Sequence, residues 1–175
     1  MLTRPPEMEI PTFFQGYVNA VPENPGLIEI MAGQLTGFPA LLRGFPEAAT
    51  EAGYAPGKWS LKQSIEHVND TERIFTYRLL RIARGDQTPL PGFEQDDYVA
   101  NSSANSRAWS GLIEEFEAVR RATLALAGSL PDAAWARTGT ASGAHASARL
   151  FGYVIAGHVA HHGGIVESCY APLLK

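Results

Sequence analysis

Four long stretches of this chain repeat apolar side chains every three or four residues, which is the spacing of one face of an amphipathic helix. The first stretch starts at Asn24-Pro25, where a capping residue precedes a proline suited to the first helical position. The pattern predicts a first helix that opens at residue 24. Its apolar positions are Met31, Leu35, Phe38, Leu42 and Phe45.

The second stretch is the most regular one. It follows the turn-rich connector 54–59 and opens with Ser60 and Gln63 in the spacing of a capping box. One half of the helix is apolar and carries Leu61, Ile65, Val68, Ile74, Phe75, Leu79 and Ile82. The other half carries Lys62, Gln63, Glu66, Asn69, Asp70, Arg73, Tyr77 and Arg81. His67 and Glu72 fall within the apolar half. We therefore expect each to be paired, bound to a metal or placed at the edge of the arc, because burying an unpartnered polar group costs about 1–3 kcal/mol.

The third and fourth stretches predict helices over about 106–127 and 147–170. Residues 85–106 lack periodicity, and so long a loop is typical of a lid or a binding segment. Residues 131–146 form a second connector, with a short turn expected at 132–135. Since no strand pattern competes, the sequence predicts an all-α protein: a four-helix bundle with long loops, forming a single domain over residues 1–175 with its core at about 22–170.

Composition narrows the classes of function. The net charge of -4 and the absence of a basic run argue against nucleic acid as a partner. No signal core and no apolar run of membrane-spanning length is present, so we expect no membrane association and a cytoplasmic location. The single cysteine, Cys169, excludes an internal disulfide and suits a reducing compartment.

The spacing of three histidines is the main indication of a functional site in the sequence. His158 and His162 are four residues apart on the fourth predicted helix, so both rings project from one face and can bind one metal ion. His67 on the second helix is a candidate third ligand from a facing helix of the bundle. Three imidazoles leave one coordination position open, which is typical of catalytic zinc sites, and nickel or iron also accept imidazole. The alternative is that each is a core histidine bonded to a carbonyl or carboxylate.

For the other polar residues, a structural role competes with a functional one. Glu72 could orient a ligand or act as an acid or base, although a structural hydrogen bond suits its position equally well. Arg78 could meet an anionic substrate or extend along an apolar surface. His161 could line the edge of the site, whereas Asp70 points outward on the helix. We expect a solvated side chain for His145, an inert buried thiol for Cys169 and packing roles for Trp59, Trp109 and Trp135.

Several segments together resemble the DinB-like superfamily of damage-inducible four-helix proteins. The resemblance rests on 54–60, on 66–75 with its Glu-His-Val-Asn-Asp core, on 81–86, and on Gly157-His158-Val159-Ala160-His161-His162. It implies a divalent metal site carried by His67, His158 and His162, in a bundle that is often a homodimer. Many members have a glutamine near position 164, where this chain has Gly163-Gly164, so any role of that amide is absent here.

The resemblance and the open coordination position favour an enzyme that activates a nucleophile for a small-molecule substrate. The family includes bacillithiol S-transferase-like proteins, which favours S-transfer from a low-molecular-weight thiol; a metal-dependent hydrolase is the alternative. A non-catalytic metal-binding stress-response protein is the other class of function. We expect substrate to enter under the loop 86–98, whose acidic residues argue against a strongly anionic substrate. Those residues are Glu94, Asp96 and Asp97.

Overall fold

A computed structural model describes residues 2–174 of the chain. Within these residues the helices are α1 Gln15–Asn19, α2 Leu27–Leu42, α3 Leu61–Ala83, α4 Gln95–Asn101, α5 Trp109–Ser129, α6 Asp132–Trp135 and α7 Ala148–Ile165. A hairpin of β1 Thr138–Ala141 and β2 Ala144–Ser147 precedes α7. Short 3₁₀ turns lie at Glu7–Glu9, Thr12–Phe14, Glu47–Ala49 and Ala104–Ser106, and a π-helical turn at Val166–Tyr170 leads to a last 3₁₀ turn at Ala171–Leu174.

The four long helices α2, α3, α5 and α7 form the predicted bundle. Helix α3 packs against α5 and α7, and α2 packs against the same two helices, so α2 and α3 occupy opposite corners. Helix α3 begins as the sequence predicts: the Ser60 hydroxyl accepts from the Gln63 backbone N–H, and the Gln63 side chain accepts from the Ser60 N–H. None of the helices formed by residues 2–174 is both long enough and apolar enough to cross a membrane.

Some predicted boundaries were wrong. Helix α2 begins at Leu27 after an extended Gly26, and not at Asn24. The regular part of the last helix ends at Ile165, five residues early, where the π-helical turn starts. The loop 85–106 contains α4, whose seven residues are too few to give a periodic signal.

The hairpin contradicts the expectation that the second connector has no strands. Ser142 and Gly143 both have positive φ, 51° and 76°, as a two-residue type I′ turn requires. The strands that flank this turn consist mostly of small residues, including Gly139, Ala141, Ala144 and Ala146. Such residues lack the β-branched and aromatic enrichment of most strands, so these two strands could not be predicted from their composition.

Two apolar clusters fill the bundle. One contains Phe14, Phe75 and Phe151, and the other contains Val68 and Val159. Along α7 the first cluster ends at Ala156 and the second begins at Val159, so His158 lies where the two clusters meet. The histidine positions therefore lie between two packed ends of the core.

Polar side chains on the outer half of α3 are more buried than the sequence predicts. Lys62 is only 2% exposed, because its Nζ lies 2.5 Å from Glu47 and 3.1 Å from Glu51 of the preceding connector. Asn69 is 1% exposed and donates to the Leu112 carbonyl of α5 at 3.1 Å. Neighbouring segments therefore cover Lys62 and Asn69, whereas Arg73 and Tyr77 of the same half remain exposed, as their polarity predicts.

A buried polar network joins the four helices of the bundle. Arg120 of α5 is fully buried and donates to both carboxylate oxygens of Glu72 on α3, at 2.7 and 2.8 Å. It also donates to the Met31 carbonyl and to Gln34 Oε1 on α2, and Gln34 in turn donates to the Ala156 carbonyl on α7 at 2.7 Å. The Arg120 charge is thus neutralised inside the core.

Candidate metal centre

Helices α3 and α7 bring His67, His158 and His162 together. All three are buried, and one ring nitrogen of each lies within 4.8 Å of those of the other two. His67 Nε2 and His158 Nε2 lie 3.1 Å apart. His158 and His162 share a face because they are one turn apart on α7, and α3 packs directly against that face.

Hydroxyl groups of α3 contact two of the rings at their Nδ1 atoms. Thr71 Oγ1 lies 3.3 Å from His67 Nδ1, and Ser64 Oγ lies 3.2 Å from His162 Nδ1. These contacts occupy the Nδ1 atoms and leave the Nε2 atoms for the centre of the cluster. Outer partners of this kind fix the tautomer and the orientation of histidine ligands in metal sites.

Burial keeps the three imidazoles neutral. Desolvation lowers the pKa of His67 to about 4 and that of His162 to about 3, and neighbouring histidines add to the effect. Burial also lowers the pKa of His158 well below its usual value, as do the positive charges that His162 and His67 would carry. Near pH 7 all three rings therefore keep a lone pair free for a ligand bond.

The donor set fits a divalent metal ion. Two nitrogens bound to one tetrahedral zinc ion at ordinary bond lengths lie about 3.3 Å apart, close to the separation of the His67 and His158 nitrogens. Neutral imidazoles suit zinc, nickel and iron alike, so geometry and donor type leave the identity of the metal open. Three protein ligands also leave a further coordination position free.

A pocket of about 320 Å³ opens onto the cluster. His67 and His162 form part of its wall, and Asp96 of α4 supplies the only carboxylate among its described lining residues. The wall also contains Tyr17, Tyr54, Gly57, Lys58, Trp59, Ser64, Gln95, His161, Ile165 and Tyr170. The predicted entry loop does line the pocket, through Gln95 and Asp96.

Aromatic rings pack around the cluster. The Tyr17 ring meets His158 edge-on at 5.3 Å and His161 at 5.4 Å, and the Trp59 ring lies 5.0 Å from His67. Tyr170, the last residue of the π-helical turn, donates its hydroxyl to the Trp59 carbonyl at 2.7 Å. The pocket wall is therefore built from segments far apart in the chain.

Gly157 allows the amino-terminal segment to reach the site. A Cβ atom at this position would lie 2.0 Å from the Tyr17 carbonyl oxygen, which no side chain could tolerate. The missing side chain lets the backbone of α1 rest directly on α7, and this contact places Tyr17 over His158. Residue 157 is therefore a glycine because two backbones touch there.

The remaining candidate residues from the sequence do not belong to the three-histidine cluster. Glu72 and Arg78 do not line this pocket: Glu72 is held by Arg120, and Arg78 lies on the same face of α3 three turns away. His161 is exposed and forms part of the pocket wall. Asp70 forms an exposed pair with Arg73. His145 is exposed on β2, Trp109 and Trp135 are buried in the core, and Cys169 is only half-buried.

Sequence reasoning missed several residues of the pocket wall. Tyr17 lies in a proline-containing segment without periodicity, and Lys58 and Trp59 lie in a connector, so no pattern linked them to the histidines. The packing role expected for Trp59 was incomplete, because its ring contacts His67 and lines the pocket. Asp96 gave the one available signal, as an acidic residue in a loop already expected to cover the site.

The fold and site define a helical-bundle protein with a buried three-histidine cluster that can hold a metal ion. A model of the DinB superfamily matches residues 34–166, and the chain belongs to that superfamily. The resemblance drawn from the motifs is thereby confirmed. No curated protein matches the chain.

A solved structure confirms the bundle topology. YfiT from Bacillus subtilis, described as a probable metal-dependent hydrolase with an unusual four-helix bundle topology, superimposes with a TM-score of 0.71. The two sequences are 15% identical, and the match covers 97% of this chain and 93% of that one. At this identity the likeness concerns the fold.

Proposed function

We propose that the protein is a metal-dependent enzyme in which His67, His158 and His162 bind one divalent cation. The observation that carries the proposal is three buried, neutral imidazoles that converge, two of them at the wall of a pocket large enough for a small organic substrate. Such a cation lowers the pKa of a bound water molecule or thiol and so supplies a nucleophile near neutral pH.

Hydrolysis is the reaction that the pocket supports best. Asp96 is placed at the pocket wall, where a carboxylate can accept the proton of an attacking water molecule. Lys58 lines the same pocket and can offset negative charge that develops on the substrate. Trp59 and Tyr17 shield the histidines from bulk water, which strengthens both effects. In our proposal the hydrolytic base is Asp96 and not Glu72, because Glu72 is held by Arg120 and does not line the pocket.

S-transfer from a low-molecular-weight thiol is the second candidate. The aromatic wall favours it, because Tyr17, Tyr54, Trp59 and Tyr170 offer ring surface to an apolar electrophile. A thiolate would complete a coordination set of three nitrogens and one sulfur, which zinc accepts readily. In this reaction Asp96 has no proton to accept once the thiol is ionised.

The two reactions are separated by a pair of neighbouring substitutions. Asp96→Asn removes the carboxylate from the pocket, whereas Asp97→Asn makes the same change at an exposed residue outside it. We expect metal content to be unchanged in both variants. For a hydrolase, kcat should fall by about 10²–10⁴-fold in Asp96→Asn alone, the usual contribution of a general base.

The assay uses tag-free protein loaded with zinc, nickel or iron. One portion receives a panel of chromogenic esters and amides, and another receives a thiol with monochlorobimane as the electrophile. Metal-dependent ester or amide cleavage that Asp96→Asn abolishes supports hydrolysis, and thiol conjugation that Asp96→Asn leaves intact supports S-transfer. Loaded protein that performs neither reaction, and binds metal only as tightly as His158→Ala does, would refute the proposal.

A further inference from the structure

Arg78 occupies an unusual position for an arginine. It is 3% exposed, on the face of α3 that also carries His67. Its Nη2 donates to the Pro91 carbonyl at 2.7 Å and to Ser142 Oγ at 3.0 Å. Both acceptors are neutral. Among residues 2–174, neither Nε nor Nη1 has a hydrogen-bond acceptor.

The charge of Arg78 has no carboxylate partner within the part of the chain that the structure describes. Arg120, which is buried to the same degree, is neutralised by both oxygens of Glu72. Desolvation lowers the pKa of Arg78, and no acidic group of the described residues counteracts that effect. Three phenylalanine rings approach the guanidinium carbon at 5.7–5.8 Å and stabilise the cation in part. They are Phe75, Phe93 and Phe151.

A pocket of about 390 Å³ leads to this guanidinium. Its walls are mostly aromatic, and its polar groups are Arg78, Ser142 and the exposed Glu94. The aromatic wall residues are Phe13, Phe14, Phe75 and Phe93. A buried cation with free N–H groups at the base of an apolar pocket matches a carboxylate attached to an apolar body. A phosphate dianion fits less well, because it would bring two charges beside Glu94 to a single cation.

We propose that the Arg78 pocket binds the carboxylate of an apolar organic acid. The incoming carboxylate takes the ion-pair position that residues 2–174 leave without an acid. The benzyl walls take up the apolar body of the ligand. This pocket shares no lining residue with the pocket at the histidines, so the proposal does not depend on the function proposed for the metal centre.

The two pockets are nevertheless neighbours. The Phe75 ring lies 5.7 Å from the Arg78 guanidinium carbon and 6.1 Å from the His158 ring. The segment 92–96 also supplies wall residues to both pockets. A carboxylate probe could therefore bind at the metal instead of at Arg78. The test must separate these two sites.

The test is isothermal titration calorimetry of the full chain with phenylacetate, phenylpropionate and phenylbutyrate, each compared with its neutral amide. Arg78→Gln removes the cation. Arg84→Gln is the matched control, since it removes the same charge from the exposed end of α3. Gly92→Leu keeps Arg78 but places a side chain beside Ser142 at the pocket wall. Each titration is repeated after treatment with a chelator.

We expect wild-type protein and Arg84→Gln to bind at least one acid at least about tenfold more tightly than its amide. Arg78→Gln and Gly92→Leu should both lose that preference, and chelation should leave it unchanged. Because Gly92→Leu retains the arginine, it tests the pocket even if Arg78→Gln folds poorly. Equal binding of acid and amide, binding that survives both substitutions, or binding that disappears with the metal would overturn the proposal. So would the absence of binding by wild-type protein at acid concentrations up to about 10 mM.

Discussion

Replacing Arg120 with methionine should destabilise the protein more than any surface substitution. Methionine keeps much of the length of the side chain but removes every donor. The Glu72 carboxylate, only 2% exposed, then loses two hydrogen bonds of 2.7 and 2.8 Å and its only counter-charge in the described chain. The Met31 carbonyl and Gln34 Oε1 lose a donor at the same time.

The expected cost follows from the burial of the pair. Breaking a buried ion pair by removing one partner costs about 3–5 kcal/mol, because the remaining charge has no compensation. For a chain of this length each kcal/mol moves the midpoint of thermal unfolding by roughly 2–4 °C. The Arg120→Met variant should therefore unfold about 6–20 °C below the wild type. Arg121→Met is the matched control, expected to cost less than about 0.5 kcal/mol, because Arg121 is 61% exposed in its pair with Glu117.

A double-mutant cycle measures the pair itself. Glu72→Leu alone should cost about as much as Arg120→Met, since it leaves the arginine buried without a carboxylate. The double variant removes both charges, and we expect it to lie much closer to the wild type than the sum of the two single changes. Urea unfolding followed by circular dichroism gives all four free energies of unfolding.

Two results would refute this reasoning. If Arg120→Met costs no more than Arg121→Met, the buried pair contributes nothing to stability. If the effects of Arg120→Met and Glu72→Leu simply add in the double variant, the two side chains are not energetically coupled. Either result would show that the network of Arg120 is not the stabilising element that its burial indicates.

Three further predictions concern the metal centre. Removing metal with a chelator should preserve the helical circular dichroism signal. Relative to protein in free metal at 100 times Kd, it should lower the thermal midpoint by about 5–10 °C. Loss of the helical signal would indicate a structural metal. Lowering the pH from 8 to 5 should cost the metal-free protein about 2 kcal/mol through His67 alone, because the unfolded chain binds a proton near pH 6.5 whereas the folded ring does so near pH 4. That contribution is complete above pH 6.5 and is lost as the pH falls towards 4, and urea unfolding midpoints that do not change with pH would contradict it. Gly157→Ala should cost about 1–3 kcal/mol by pushing Tyr17 away, whereas Gly164→Ala on the same helix, with open space around it, should be neutral or stabilising; equal effects in denaturant unfolding would exclude the proposed backbone contact.

The sequence predicted the parts of the molecule that depend on local periodicity. The sequence of helix α3 has a regular apolar face and a capping box, and both are present in the structure. The histidine cluster follows from the same periodicity, because spacing along α7 and a facing position on α3 are enough to bring the three rings together. These features needed no knowledge of the loops.

Features set by distant partners could not be predicted in this way. The burial of Lys62 depends on carboxylates in the connector before α3, and that of Arg120 depends on Glu72 across the bundle. The place of Tyr17 depends on a glycine about 140 residues away in the chain. Hydrophobic periodicity describes one element at a time, so polar groups that are buried by another element are assigned to solvent.

The histidine cluster combines a residue of α3, in the first half of the chain, with two residues of α7, which is made much later. During synthesis His67 is added to the chain long before His158 and His162. Tyr17 is added earlier still, although Gly157, against which its backbone packs, comes about 140 residues later. A nascent chain that lacks residues 148–165 therefore holds one of the three ligands and has no centre to load. Metal retention would therefore report that α7 has been made and has packed against α3, which helix content alone does not show.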